Sequence, residues 1–135
     1  MLTFFEKETA PLNDYENDVL LPIMTKCLER HKGREAAISN KEMCQKMKEH
    51  KYDLDETRTR KIINNIRRNY LIPCLMATNK GYYVTDDPIE FRKYIGSLRG
   101  RVEAINEVIS SLEGQLEELL KSKSIEDNPD GQLAS

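Results

Sequence analysis

The chain has 135 residues, of which 39% are apolar and 33% charged, with a formal net charge of −2. That size suits one compact domain with appendages, and the near balance of charge excludes a uniformly basic or acidic protein. No apolar run approaches the length of a membrane span, and the start MLTFFEKETAP lacks a basic region followed by a long apolar stretch. Neither a membrane anchor nor a secretory leader is expected, and the expected location is the cytoplasm.

Charge is unevenly placed. Residues 1–18 hold one base and five acids, residues 19–88 hold 14 bases and 9 acids, and residues 89–135 hold 6 bases and 9 acids. Within residues 56–85, six bases (Arg58, Arg60, Lys61, Arg67, Arg68, Lys80) stand with a single acid, Glu56. Such a patch steers polyanions, unless it is only the solvated face of a helix. Cys27, Cys44 and Cys74 are an odd number with no C-x-x-C pair, which predicts buried, reduced thiols, with no disulfide frame, metal site or cofactor. His31 and His50 stand in helix-end contexts and are expected at the surface.

In chain order, residues 1–14 read as an arm that is poorly ordered or loosely docked. The folded domain is expected over residues 15–87. Its first helix is predicted from Asn17 or Asp18 to about His31, with Pro22 near the first turn and Gly33 as the stop. Its apolar positions Val19, Leu20, Ile23, Met24, Cys27 and Leu28 recur at helical spacing. Ser39-Asn40-Lys41-Glu42 has the form of a capping box, and the second helix it opens, to roughly Glu49, buries Met43, Cys44 and Met47. Asp53 or Asp55 then caps a third helix of about Glu56 to Asn69. Leu71, Ile72 and Pro73 switch the chain to extended form, and the turn-prone Thr78-Asn79-Lys80-Gly81 precedes the β-favouring run Gly81–Thr85, a hairpin signal. The expected fold is therefore mainly α with a small β-hairpin: a winged helix-turn-helix followed by a long C-terminal helix.

From Pro88 the period changes. Phe91, Ile95, Leu98, Val102, Ile105, Ile109, Leu112, Leu116 and Leu119 alternate spacings of four and three, an unbroken heptad pattern. Ile95, Val102, Ile109 and Leu116 take the a positions, and Leu98, Ile105, Leu112 and Leu119 take d. Mostly β-branched a with mostly leucine d favours two parallel strands. Residues 88–121 are thus expected to be a dimerisation helix, although few opposite charges flank the seam and folding back on the domain is the alternative. Residues 122–135 are polar and expected to be disordered.

Wound at 100° per residue, the third helix turns Thr59, Ile62, Ile63, Ile66 and Tyr70 to one side and Thr57, Lys61, Asn64 and Arg68 to the other. Arginine and asparagine read base edges bidentately, and the N-terminal half of such a helix goes deepest into the major groove. Base reading is therefore assigned to Thr57, Lys61 and Asn64 with Arg60 beside them; Asn65 also flanks the stripe, and Arg58 sits at its boundary. Phosphate contacts are assigned to Arg67, Arg68, Lys80 at the hairpin tip and Lys41 at the start of the second helix. The expected partners are double-stranded DNA and a second copy of the chain, with no small-molecule ligand evident. Four phosphates neutralised per protomer would give a log–log salt slope of about −7.

The run Arg60-Lys61-Ile62-Ile63-Asn64-Asn65-Ile66-Arg67, then Leu71-Ile72-Pro73 and Gly81-Tyr82-Tyr83, resembles the R-x-I-I-N-x-[I/L]-R, I-P-[IC] and G-Y-Y pattern of small winged-helix proteins encoded by phages and prophages. The resemblance covers about residues 15–115, and Ser97–Ile105 looks like that family's tail. It implies DNA binding, in transcriptional control or phage replication. The chain departs from the family at Asn69-Tyr70-Leu71, where a glycine is frequent, which puts the turn into the hairpin in question. Neither a G-x-S-x-G motif nor a phosphate loop is present, and the aspartates stand at helix starts where capping explains them, so an enzyme is not expected. The rival reading is a winged-helix module for protein interaction and oligomerisation without DNA binding.

Overall fold

The computed structural model describes residues 4–127, which divide into two compact units between Arg92 and Lys93. The first unit opens with α1 (Phe4–Thr9), so the predicted loose arm instead carries a helix, and that helix packs against α4 (Glu56–Arg68). The next helical run also starts earlier than predicted. Asn13 Oδ1 accepts the Glu16 N–H at 2.8 Å and Glu16 Oε1 accepts the Asn13 N–H at 2.9 Å, a reciprocal cap that starts the helix at Asp14.

Pro22 disturbs the regular ladder of this run. It has no N–H to give to the preceding turn, and the chain inserts a π-turn at Glu16–Leu20, where the Leu21 N–H reaches back to the Glu16 carbonyl. The run then resumes as α2 (Leu21–Glu29) with proline in its first positions, which absorbs the missing bond. Leu20, Met24 and Leu28 from this run are fully buried.

The segment after α2 turns through Gly33 (φ +85°) and a 3-10 turn at Arg34–Ala36. It is then held to the hairpin at two bridges, Lys32 to Val84 and Ile38 to Tyr82. Backbone bonds of 2.7–3.0 Å make both. His31 is half-buried rather than free on the surface, its Nδ1 2.7 Å from the Ala36 carbonyl. The predicted capping box is present: Ser39 Oγ accepts the Glu42 N–H at 3.0 Å while Glu42 Oε1 accepts the Ser39 N–H at 3.1 Å. It opens α3 (Asn40–Glu49), which buries Met43, Cys44 and Met47.

α4 is capped by Asp55, whose carboxylate accepts the Arg58 N–H at 2.7 Å. It turns Thr59, Ile62, Ile63 and Ile66 into the core beside Leu54, Ile72 and Leu75. Thr59 is satisfied there, donating to the Asp55 carbonyl at 2.8 Å and lying 3.0 Å from the Cys44 thiol. Tyr70 was expected on this face and is instead 77% exposed. The helix ends at Arg68, and Tyr70 adopts φ +57°, which takes its side chain off the stripe.

β1 (Leu75–Thr78) pairs antiparallel with β2 (Gly81–Val84), with Leu75 opposite Val84 and Thr78 opposite Gly81. Gly81 has a specific reason to be glycine. A Cβ there would fall 2.5 Å from the Ile38 carbonyl oxygen, so only glycine lets the bridge segment lie against the hairpin.

α5 (Pro88–Asp127) begins in the first unit, where Asp87 Oδ1 accepts the Ile89 N–H and Glu90 accepts from the Tyr83 hydroxyl. It forms the described part of the second unit. The helix runs past the predicted boundary at residue 121, so residues 122–127 of the expected tail are helical; residues 1–3 and 128–135 lie outside the described residues. Ile95, Val102, Ile105, Ile109, Leu112, Leu116 and Leu119 are 40–58% exposed, and Leu98 is half-buried. Among the described residues no helix is long and apolar enough to cross a membrane.

Candidate nucleic-acid interface

The basic face of α4 is built as its periodicity predicts, but three of the side chains expected to meet a polyanion, Arg58, Arg60 and Lys61, meet carboxylates of the chain itself. Glu16 is the centre of this cover. Only 2% exposed, it receives Arg58 Nε on Oε2 at 2.9 Å and Lys61 Nζ on Oε1 at 2.6 Å. With the Asn13 N–H added, its carboxylate accepts three charge-assisted or backbone bonds. Burial on its own would raise the Glu16 pKa. The hydrogen bonds from Lys61, Asn13 and Arg58, with the Lys61 charge, outweigh that and hold it below the ordinary carboxylate value.

Arg58 is held from several sides. Its Nη1 donates to the Asp53 carbonyl at 3.0 Å and lies 3.2 Å from the Asp53 carboxylate. Its guanidinium also sits over the Tyr15 ring, 5.5 Å from the centroid. The Tyr15 hydroxyl in turn accepts the Asp53 N–H at 3.0 Å. Arg60 pairs through Nε with Glu8 at 3.1 Å. Wound at 100° per residue, Arg60, Lys61 and Arg58 lie on successive sectors of the outward half of α4. Glu8 and Glu16 therefore engage bases on either side of Thr57 and Asn64.

This corrects the expectation that Arg58, Arg60 and Lys61 are free in solvent. Thr57, Asn64, Asn65 and Arg67 are half-buried, whereas Arg68, Lys41 and Lys80 are exposed. The exposed three sit at the end of α4, the start of α3 and the hairpin turn, on separate elements. Sequence reasoning missed Glu8, Tyr15 and Glu16. Two signals pointed to them: Asn13 and Glu16 have capping-box spacing, and an acidic block precedes a basic one.

Cys44, beside this region, is an inert packing group. Burial pushes its thiol pKa up, only partly opposed by the hydrogen bond to Thr59. Among the described residues no group of three or more His, Cys, Asp or Glu side chains is arranged to hold a metal ion. Comparison with known proteins finds no family model, no curated protein and no solved structure that matches the chain.

Proposed function

We propose that this protein is an assembly module, a winged-helix head that self-associates through its C-terminal helix. The observation that carries the reading is the α5 seam: apolar a and d side chains, most of them about half exposed, repeat without a break along the helix. Burying each remaining half side chain contributes about 1 kcal/mol. The sixteen of a dimer are then comparable to or larger than the association cost of roughly 4–15 kcal/mol. The winged-helix description is supported by the order of helix, bridge segment, two helices and hairpin, and by the phage-type motif. No catalytic role is proposed. Ile105→Glu places charge in the seam and is expected to give monomers in sedimentation velocity where the wild type sediments as a dimer. An unchanged mass removes the proposal.

A second reading, DNA binding by α4 with phosphates taking the place of Glu8 and Glu16, is favoured by the chemistry of the cover. Glu8 and Glu16 carboxylates occupy the bases that phosphates would otherwise take. In the closed form Arg68, Lys41 and Lys80 remain, six cations per dimer and a salt slope of about −5. Release of Arg58, Arg60 and Lys61 doubles the set and steepens the slope to about −11. Fluorescence anisotropy against a random duplex tests this with the wild type and the double variant Glu8→Gln, Glu16→Gln. Tighter binding and a steeper slope in the variant support it; absence of binding by both at low salt leaves assembly alone.

A further inference from the structure

We infer that the groove between α2 and α3 is a docking site for an acidic peptide segment that carries a bulky apolar side chain. The groove is a cavity of about 250 Å³ with Ile23 and Met47 in its floor and Lys26, Arg30, Lys46 and His50 around it. No acid lines it. Among the described residues none of Lys26, Arg30 and Lys46 enters an ion pair. His50 Nδ1 lies 3.0 Å from the Lys46 carbonyl, which leaves Nε2 to meet a ligand.

Bases in the last turns of two helices also complement the helix dipoles, and that accounts for their charge. It does not account for the half-exposed Ile23 and Cys27 held open beside them. A purely solvated basic face has no use for an apolar floor. The volume lies below the roughly 300–1,000 Å³ of sites that enclose a small molecule, so it fits one anchoring side chain of a longer ligand. Positive rim and apolar floor together select a partner with carboxylates on both sides of that anchor. The site shares no residue with the α4 face or the α5 seam, so it is independent of both functional readings.

The test uses the full chain and a fluorescein-labelled acidic hexapeptide with a central leucine–phenylalanine pair, followed by anisotropy. Saturable binding below about 1 mM is expected. It should weaken at least tenfold, on the order of 1.4 kcal/mol, in the double variant Lys26→Glu, Arg30→Glu. A peptide with serines in place of the central pair should show the same loss. Arg68→Glu, on α4, should leave the affinity within twofold. Peptide should also slow alkylation of Cys27, read by mass mapping, which reports on the groove without any variant. Absent binding, equal binding of the serine peptide, an equal loss in Arg68→Glu or unprotected Cys27 would each overturn the inference.

Discussion

Tyr70 takes the position just beyond the cap of α4, with φ +57°, and the Leu71 N–H returns to the Ile66 carbonyl at 3.1 Å. That bond, from the second residue past the cap to the third residue before it, defines a Schellman ending, in which the left-handed residue is usually glycine. Lys51 does the same after α3: its φ is +69° and the Tyr52 N–H reaches the Met47 carbonyl at 3.0 Å. Both helices thus stop on a side chain that disfavours the conformation by about 1–2 kcal/mol. Tyr70→Gly removes that strain and loses little packing, because the ring is exposed. Glycine's larger unfolded-state entropy takes back about 0.5–1 kcal/mol. A net gain of up to about 1 kcal/mol in urea denaturation is expected, with none for Tyr70→Ala. Equal stability of all three proteins would show that the turn is unstrained.

The helical run that carries Glu16 and α4 behave as one element pair, and Glu16 sets its pH response. A carboxylate whose folded pKa lies below the ordinary value of 4.5 stabilises the fold fully above that value, and the contribution is lost as pH falls through the folded pKa. Glu16→Gln takes the charged partner from Lys61 and leaves Arg58 with only the exposed Asp53 carboxylate. Both side chains retain some solvent contact, so the cost falls below that of a sealed ion pair, at about 1–3 kcal/mol. The gap between wild type and variant should be full at pH 6 and shrink toward pH 3. A gap of constant size at both pH values would mean that Glu16 acts through shape alone. This pair also marks where the sequence was legible. The Ser39 capping box, the Asp55 cap and the isoleucine stripe of α4 are local patterns, and each forms as read. The cover on α4 joins Glu16 to partners 42 and 45 residues away, and no local period encodes such a pairing. Hydrophobic phasing told which side of α4 faces inward; it carried no information about what lies over the other side.

At the scale of the whole molecule, the two units differ in what holds them together. The first unit encloses a core in which Leu20, Met24, Leu28, Met43, Ile62 and Ile66 have no exposed surface. The helix beyond them gains no such burial from its own unit, because its apolar seam is largely open. Its glycines at 96, 100 and 114 each cost roughly 1 kcal/mol relative to alanine, and a helix without packing is marginal in water. If a second copy supplies the packing, stability of this unit depends on protein concentration by mass action, while that of the first does not. Hydrogen exchange read by mass spectrometry separates the two. On dilution from tens of micromolar to well below one micromolar, amides of residues 93–124 should lose protection and those of α4 should keep it. Protection of both that is independent of concentration would mean that α5 needs no partner, and the assembly proposal would then fail.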